Sequence, residues 1–550
     1  MASASLHCRI RAALVLLAAA TTLPGCGRKQ AEPPVVVPVA TSQGPATAGS
    51  HLPSGIDWFP GDVDAAFAVA KAAPKPLFLY WGAEWCPPCA QVKATIFSRR
   101  EFQERSRLFV PVYLDGDTPS AQKQAERFGV VGYPTMILFR PDGTEITRLP
   151  GGVDIGRYAK ILDVALADAR PVKDILAAAT GGAEVTRNDW QLLAYYDWPT
   201  DNGRVLPDAK RVRTFRILSD RCPADMRPDC ARLYFDYLRA AAAAAGEGKS
   251  PLTGLDRAIA RKDLLQLLGS PAVDQANVEN LLYAPKDVIG LLSDVDSPER
   301  RELTTAWGAA LARIGAAAGA DALSTADQIK LLRARVMLVQ LDAPDAPLPP
   351  ALTAQIRQAV ARVDAQETDT YSRQAAINAA VNLYWTAGMG EDGNRLLLSE
   401  LGKTNAPFYF MESLAQIAEK SGRKNEAVQW LAKAYAGATG PATRFQWGYN
   451  YLVGLLEMTP DDLKTIESAG LQLIGELGDA PDAFYQRTRV RLDQLSAKLL
   501  DWGKTGERVK VVEKLRRRTA EVCAGLPDGD QGRASCERFL KPAPPATQGA

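Results

Sequence analysis

Two spacings of apolar residues divide this chain into segments. Between residues 56 and 170, short continuous apolar runs alternate with stretches whose apolar residues recur every three or four positions. The continuous runs are typical of buried strands, and the recurring positions are typical of amphipathic helices. From residue 171 to residue 542 the helical spacing continues, and alternation of apolar and polar residues is scarce. We therefore predict an α/β domain over residues 56–170 and a mostly helical region over residues 171–542.

The elements predicted for residues 56–170 follow one another as helix, strand, helix, strand, helix, strand, strand and helix. The predicted strands are PLFLYWGA, RLFVPVYLDGD and the two halves of TMILFRPDGTEITRL, which join through Pro141, Asp142 and Gly143. The predicted helices are DVDAAFAVAKAA, CAQVKATIF, SAQKQAERFG and GRYAKILDVALADA. A βαβ unit that continues into a hairpin and a helix favours one compact domain.

Part of the helical region repeats itself. The segment AAINAAVNLYWTAGMGEDGNRLLLSEL aligns with a segment 34 residues later, so that Gly388 coincides with Gly422. This is the period of tetratricopeptide repeats, whose units are pairs of helices. Residues 175–360 show no clean repeat, which leaves an irregular helical domain as the alternative to a tetratricopeptide-like array. We interpret the Leu, Trp and Tyr residues of this region as helix-packing core rather than a ligand pocket.

The N-terminus has the pattern of an export signal. Arg9 and Arg11 precede an apolar run that is too short to span a bilayer. The run ends in LPGC, which is similar to the bacterial lipobox, where the cysteine becomes the lipidated first residue of the mature chain. We predict a signal peptide over residues 1–25 and lipidation at Cys26, with a simply cleaved signal as the alternative.

The predicted location follows from the residues around this cysteine. By the sorting rule for lipoproteins of Gram-negative bacteria, Gly27 favours anchoring to the outer membrane, on the periplasmic side. Residues 26–55 are rich in Pro, Ala, Gly, Ser and Thr, so we expect a disordered tether there and a disordered tail over residues 543–550.

Composition narrows the possible functions. The chain has 550 residues, of which 47% are hydrophobic and 23% charged, so it can form two or more cores. A net charge of +2 provides no basic surface for a nucleic acid. Its two histidines, His7 and His51, lie in the predicted signal and tether. Ser-His-Asp catalysis, Cys-His catalysis and histidine-rich metal sites are therefore excluded from the predicted domains.

Cysteine usage points to disulfide chemistry. Of eight cysteines, Cys8 leaves with the signal and Cys26 is the lipidation candidate. An even number remains, which favours pairing in an oxidising compartment. The expected local pairs are Cys86 with Cys89, Cys222 with Cys230, and Cys523 with Cys536. We expect structural disulfides for the last two pairs, and an electron relay to the first pair is the alternative.

The sequence WCPPC places Cys86 where a predicted strand ends and a helix begins. Proline is tolerated in the first turn of a helix. A thiol at this position faces unpaired N–H groups and the positive end of the helix dipole, which favour the thiolate and lower its pKa. Cys89 lies one turn later, where we expect it to be more buried and able to displace a mixed disulfide from Cys86.

Two other interpretations of this pair have weaker support. A zinc site would need two further ligands, but there is no second C-x-x-C and no nearby histidine, so we predict no metal. A purely structural bridge is the other alternative, although a loop closed across two residues restrains the unfolded chain very little.

The run KPLFLYWGAEWCPPC, together with GYPT at residues 132–135, resembles the thioredoxin superfamily. It is most similar to the C-terminal thioredoxin-like domain of DsbD-type thiol:disulfide interchange proteins. The resemblance implies a thioredoxin fold, with Cys86 as nucleophile and Cys89 as resolving thiol.

The same resemblance assigns further residues to the site. It implies a cis peptide bond at Pro134 beside the cysteines, although trans is the usual state of an X–Pro bond. It also implies substrate contacts at Trp85, Gly132 and Tyr133.

Two positions depart from the pattern of this family. Many thioredoxins have a buried aspartate six residues before the first cysteine and a lysine partner on the next strand, where this chain has Tyr80 and Pro111. The proton acceptor for Cys89 must then be Glu84 or a water molecule. The alternative is that Glu84 is an ordinary surface residue.

Together these features predict an enzyme, an exported thiol:disulfide oxidoreductase that needs no cofactor. Its partners would be protein disulfide substrates and a membrane electron donor, because a reductase in an oxidising compartment must be re-reduced. The DsbD likeness favours a reductase, with a disulfide oxidase or isomerase as the alternative. The helical region would hold a protein partner or present the substrate.

A second class of hypothesis is a binding or scaffold lipoprotein in which the thioredoxin fold only docks. The helical region is more than three times as long as the α/β domain, which favours this alternative.

Overall fold

The computed structural model of the protein describes residues 52–118, 120–246, 255–317, 323–344, 346–480 and 482–541. These residues fall within one compact unit. The predicted signal peptide, Cys26, the tether up to residue 51 and the tail over residues 543–550 lie outside the described residues. In the described part, none of the helices combines the length and the apolar character needed to cross a bilayer.

A twisted sheet forms the centre of the α/β domain. The strands in its described residues are β1 (Leu77–Gly82), β2 (Val110–Asp115), β3 (Thr135–Phe139) and β4 (Glu145–Leu149). Their order across the sheet is β2-β1-β3-β4, with β2 parallel to β1 and with the β1–β3 and β3–β4 pairs antiparallel. Every residue of β1 is buried because this strand is central and covered on both faces. The predicted βαβ unit and hairpin are confirmed.

Helices cover both faces of this sheet. The helices of the domain are α1 (Val63–Ala72), α2 (Pro87–Val92), α3 (Arg100–Arg105), α4 (Ala121–Phe128) and α5 (Ile155–Leu166). A π-helical turn, Lys93–Phe97, continues α2, and a 3₁₀ turn follows α3 at Ser106–Leu108.

Successive residues of β1 point to opposite faces of the sheet. Leu77, Leu79 and Trp81 pack against α1 and α4. Phe78 and Tyr80 pack against α2, α3 and α5, and this second core continues into the helical region. The domain and the helical region therefore share one apolar core.

The helical region is confirmed. Its helices in the described residues are α6 (Val172–Gly181), α7 (Arg187–Ala194), α8 (Asp208–Arg221), α9 (Arg227–Gly246), α10 (Arg257–Leu268), α11 (Pro271–Ala276), α12 (Val278–Tyr283), α13 (Pro285–Leu292), α14 (Pro298–Ala317), α15 (Thr325–Val339), α16 (Pro350–Gln366), α17 (Thr370–Thr386), α18 (Gly390–Glu400), α19 (Pro407–Lys420), α20 (Lys424–Gly437), α21 (Pro441–Met458), α22 (Leu463–Leu477), α23 (Gln486–Trp502), α24 (Glu507–Ala524) and α25 (Gly532–Arg538). Two 3₁₀ turns, Trp198–Asp201 and Ala224–Met226, interrupt the series.

The 34-residue alignment corresponds to two helix pairs, α17–α18 and α19–α20. Gly388 and Gly422, which coincide in that alignment, lie in the turns between the paired helices, with φ of +69° and +75°. Glycine adopts this left-handed conformation without the strain that a side chain would cause. This part of the chain is consistent with repeat-like helices.

Two disulfides join neighbouring helices of the helical region. Cys222 at the end of α8 is bonded to Cys230 in α9, and Cys523 in α24 is bonded to Cys536 in α25, as the spacing predicts.

The end of the predicted tether packs against the α/β domain. Leu52 contacts the apolar core, Pro53 is buried, and the Gln103 side chain donates to the carbonyl of Ser54 at 3.0 Å. Leu52, Pro53 and Ser54 thus contact the domain, whose start is predicted at residue 56.

We expect replacement of both Cys523 and Cys536 by alanine to destabilise α24 and α25 locally. The two cysteines are 13 residues apart, and a loop of this size stabilises a fold by about 3 kcal/mol through restraint of the unfolded chain. Hydrogen exchange measured by mass spectrometry should become faster in these two helices. The matched control, alanine at Cys222 and Cys230, should instead affect α8 and α9. Unchanged exchange in α24 and α25 would contradict a structural role.

Candidate active site

The two cysteines of the C-P-P-C motif lie at the start of α2, directly after the end of β1. Cys86 caps the helix, and the backbone N–H of Cys89 donates to its Sγ at 3.3 Å. Pro87 lies in the first turn. Proline lacks a backbone N–H, but the N–H groups of this turn have no partner within the helix, so no helical hydrogen bond is lost. Both cysteines are free thiols, with exposures of 3% for Cys86 and 0% for Cys89.

The loop of residues 132–135, which contains Pro134, lies next to this turn. The Tyr133–Pro134 bond is cis, and the Tyr133 ring stacks on Trp81 at 5.5 Å and meets Trp85 edge-on at 5.8 Å. The carbonyl of Gly132 accepts a hydrogen bond from the Thr135 hydroxyl at 2.9 Å. In the described residues, the backbone N–H and C=O of Tyr133 form no hydrogen bond.

The helical region contacts the residue that precedes Cys86. The indole N–H of Trp85 donates to the hydroxyl of Thr443 in α21 at 2.8 Å. The side chain of Gln374 in α17 donates to the carbonyl of Trp85 at 2.9 Å. Both contacts come from parts of the chain that lie far away in sequence, so they depend on the packing of the helical region over the domain.

Aromatic side chains of the helical region complete this contact. The Trp85 ring meets Trp447 edge-on at 4.8 Å and stacks on Tyr409 at 6.1 Å. The guanidinium of Arg487 lies 5.9 Å from the Trp85 ring and 4.9 Å from the Tyr133 ring. Two residues expected to bind substrate are thus already in contact with the helical region, and we call this arrangement the closed site.

Polar contacts at a distance from the thiols hold the same interface. On α2, Gln91 donates to Asp327 at 3.0 Å and accepts from Lys330 at 2.6 Å. On α4, Glu126 forms a 2.9 Å salt bridge with Arg489 of α23. The side chain of Gln486 donates to a main-chain carbonyl of the domain at 2.8 Å. Contacts on both sides of the sheet therefore hold the helical region in place.

Thr443 also binds a carboxyl group of the α/β domain. Its backbone N–H donates to Asp117 at 2.7 Å, and its hydroxyl donates to the same carboxyl group. Burial and the neighbouring charge of Asp115 raise the pKa of Asp117 to about 7. One threonine hydroxyl therefore joins Asp117 to Trp85.

The two thiols titrate as a coupled pair. Burial raises the pKa of Cys86, as do its hydrogen bond with Cys89 and the charge of Cys89. Burial also opposes ionisation of Cys89, but a hydrogen bond with Cys86, another with the Ala83 backbone and the charge of Lys93 lower its pKa overall. One thiolate therefore forms more readily than an ordinary thiolate, and the second forms less readily.

The sequence-based expectation of a lowered pKa at Cys86 is wrong for the closed site. That expectation assumed that water reaches the start of α2. The helical region excludes water there, and burial then outweighs the effect of the helix terminus.

Two further buried residues, Lys93 and Tyr80, influence the ionisation of the thiols. Lys93 is 1% exposed and lies one turn after Cys89. Burial lowers the pKa of its ammonium group, and the two cysteines are the strongest influences in the opposite direction. Tyr80 is fully buried, and burial together with the cysteine charges raises its pKa.

Glu84, the carboxylate named as a possible proton acceptor, has an exposed side chain. Its role therefore stays a prediction. The sequence did not single out Lys93, Thr443 or Gln374. The i, i+4 spacing of Cys89 and Lys93 was a signal that could have identified the lysine, whereas no local pattern marks the other two.

A cavity of about 180 Å³ lies beside the site between the domain and the helical region. Pro88 and Pro134 line one side of it, and Tyr283 and Lys330 line the other. Neither cysteine belongs to its wall, so the cavity leaves both sulfur atoms covered. Among the described residues, no group of three or more His, Cys, Asp or Glu side chains could hold a metal ion.

Known proteins are similar to this chain over the α/β domain. A family model described as a thioredoxin-like domain matches residues 63–166. Thioredoxin of Pseudomonas aeruginosa is 32% identical over 104 residues, which cover 18% of this chain and 89% of that protein. A solved thioredoxin structure from Thermus thermophilus shares 28% identity, covers 20% of this chain and 85% of that one, and has a TM-score of 0.18.

A longer relative also matches part of this chain. Thiol:disulfide interchange protein DsbD 1 of Pseudomonas aeruginosa is 29% identical over 107 residues, which make up 19% of this chain. The chain spans only 18% of the length of that protein. Through residues 63–166, this chain belongs to the thioredoxin-like family.

Proposed function

We propose that the protein is a thiol:disulfide oxidoreductase that uses Cys86 and Cys89 as its redox pair. The observation that carries this proposal is the placement of two free thiols at the first turn of α2, beside Pro134, in a thioredoxin-like domain. The similarity to thioredoxin and to DsbD also supports thiol–disulfide redox chemistry.

In the reductase direction, the Cys86 thiolate attacks one sulfur of a substrate disulfide. A bond forms between these two sulfur atoms, and the other substrate sulfur leaves as a thiolate. The Cys89 thiolate then attacks Cys86 Sγ and displaces the first substrate sulfur. The protein is left with a Cys86–Cys89 disulfide, and two electrons have passed to the substrate. The proton of Cys89 ends on one substrate sulfur, and the other substrate thiolate takes a proton from water.

The direction of electron flow and the location are part of the proposal. The likeness to DsbD supports a reductase over an oxidase or isomerase, and it supports a periplasmic location. A reductase there must be re-reduced, for which a membrane electron donor suffices. The lipobox-like sequence supports anchoring through lipid on Cys26.

The closed site adds a requirement to this function. A protein disulfide must reach Cys86, but Cys86 is buried and Trp85 is occupied by Thr443, Gln374 and neighbouring rings. We therefore propose that the helical region separates from the start of α2 before a protein substrate binds. The helical region would then be the part that responds to a protein partner.

We expect Cys86→Ser to abolish reduction of insulin by residues 50–550, because the attacking sulfur is lost. In the same chain, the reduction potential should lie near that of thioredoxin, about −270 mV, if the protein is a reductase. A potential near about −120 mV, typical of strong oxidants, would contradict the reductase direction. An unchanged rate in Cys86→Ser would contradict the mechanism.

Trapping separates this function from a binding protein. Cys89→Ser should accumulate mixed disulfides through Cys86 in cells, because the resolving thiol is missing. The matched control carries serine at both positions. Adducts that disappear in the control indicate redox chemistry, whereas partners that the control retains indicate a scaffold.

We expect Arg489→Glu to expose Cys86, because it replaces the salt bridge to Glu126 with two like charges. The pair is partly exposed, so the interface should weaken by about 1 kcal/mol, or about fivefold in the rate of Cys86 alkylation by iodoacetamide. The double variant Glu126→Arg/Arg489→Glu restores opposite charges and should restore slow alkylation. Lys498→Glu is a suitable control, because its partner Glu457 lies within the helical region. Equal alkylation rates in all variants would contradict separation.

We expect the closed site to loosen as the pH rises. The pKa of Asp117 is about 7 when packed, against about 3.9 for an exposed aspartate, so packing takes up a proton. The contribution of Asp117 to the stability of the closed site is therefore complete below about pH 4 and is lost as the pH rises to about 7. Asp115, Tyr133 and the N-terminus of α21 face this carboxyl group.

The measurement compares Cys86 alkylation in the unsubstituted chain and in Asp117→Asn between pH 5 and pH 8. Asparagine keeps the shape and one acceptor oxygen for Thr443, and it does not ionise in this range. The alkylation rate of the unsubstituted chain divided by that of Asp117→Asn should rise with pH. A constant ratio would contradict the assignment of this pH dependence to Asp117.

A further inference from the structure

We propose that Lys93 is a positioning residue that stabilises the thiolate of the redox pair, in a site where the buried carboxylate of other thioredoxins is replaced by Tyr80. This inference rests on the proposed function of Cys86 and Cys89. It concerns how Cys89 becomes reactive once Cys86 is engaged with substrate.

The first argument is position along the helix. Lys93 follows Cys89 by four residues and Cys86 by seven, which places all three on one face. The backbone N–H of Lys93 donates to the carbonyl of Cys89, so the turn between them is closed. The lysine side chain is fixed on the same rigid element as the thiols.

The second argument is burial without a carboxylate partner. Lys93 is 1% exposed, and a buried cation is costly unless an anion accompanies it. The salt bridges found between described residues do not include Lys93, and the charges of Asp115 and Glu84 act on it less than those of the two cysteines. Its Nζ instead lies 5.4 Å from the ring of Tyr371 in α17.

The anionic groups that stabilise the charged form of Lys93 belong mainly to the redox pair. Cys89 has the largest influence among them, Cys86 follows, and Asp115 and Glu84 come after both. A thiolate at the redox pair is therefore the anion that compensates this buried ammonium group. The same charge favours the thiolate of either cysteine.

The third argument is the chemistry of Tyr80. Its hydroxyl is buried beside Cys89, where it acts as a hydrogen-bond partner that favours the Cys89 thiolate, and its ring packs against Phe97 at 4.8 Å and Tyr113 at 5.2 Å. A neutral phenol can donate a hydrogen bond to a thiolate, but it does not remove a proton from a thiol near neutral pH. Tyr80 therefore cannot supply the charge that Lys93 supplies.

These arguments define the step in which Lys93 acts. After the mixed disulfide has formed at Cys86, Cys89 loses its proton to the leaving substrate thiolate, and the ammonium group of Lys93 stabilises the Cys89 thiolate. Cys89 then forms the bond to Cys86 Sγ while the bond from Cys86 to the substrate sulfur breaks. The substrate disulfide is reduced and the protein pair is oxidised, and Lys93 keeps its proton throughout.

The test is a titration of the reduced full chain, with the thiolate followed by its absorbance at 240 nm. Lys93→Met removes the charge and keeps an unbranched side chain. We expect the midpoint of the first thiolate to rise by at least about one pH unit. Lys93→Arg, which keeps the charge, should titrate close to the unsubstituted chain. Lys160→Met serves as the control, because Lys160 is an exposed lysine of the same domain.

A purely structural role for Lys93 predicts a different result. The midpoint would then stay unchanged in any folded Lys93→Met chain, and that result would overturn the proposal. If circular dichroism shows that Lys93→Met does not fold, Lys93→Gln is titrated in its place. An unchanged midpoint in folded Lys93→Gln would equally overturn the proposal. The titration reports on the thiols themselves, so its failure is distinguishable from a failure of the proposed function, which would appear as loss of Cys86-dependent insulin reduction in the unsubstituted chain.

Discussion

The exclusion of water from the start of α2 is the constraint on which the rest of this structure depends. Here the indole N–H and the carbonyl of Trp85 are both bound by residues of the helical region. Because Cys86 and Cys89 are covered as a result, burial becomes the largest influence on the ionisation of each thiol.

Helix α17 links access to the thiols with their electrostatics. Gln374 of this helix binds the Trp85 carbonyl, and Tyr371, almost one turn earlier, lies over the ammonium group of Lys93. Withdrawal of α17 would therefore expose Cys86 and hydrate Lys93 in one movement. Helix α17 thus couples the accessibility of Cys86 to the ionisation of the thiols. Loss of its contacts with Trp85 and Lys93 would change both properties together.

The sequence predicted the domain well because its signals are local. The strand PLFLYWGA, the prolines of the C-P-P-C turn and the Pro-Asp-Gly hairpin each specify their own structure within a few residues. The repeat-like helices were also predictable, since Gly388 and Gly422 mark equivalent turns. The closed site was not predictable, because Thr443 and Gln374 belong to ordinary amphipathic helices and acquire their role only when those helices pack on Trp85. The raised pKa of Cys86 was missed for the same reason, since burial by a distant segment leaves no trace near Cys86 in the sequence.

The separation in sequence between the two sides of the closed site also sets an order of events during synthesis. Trp85 and Thr443 are 358 residues apart, whereas the strands of the sheet all lie between Leu77 and Leu149. Local contacts form early, and N-terminal domains fold before the rest of the chain is made. A nascent chain therefore passes through a stage in which the redox pair is folded but uncovered, and the covering residues follow later, Gln374 after about two-thirds and Thr443 after about four-fifths of the polypeptide. Truncated chains that end before α17 would carry an uncovered dithiol.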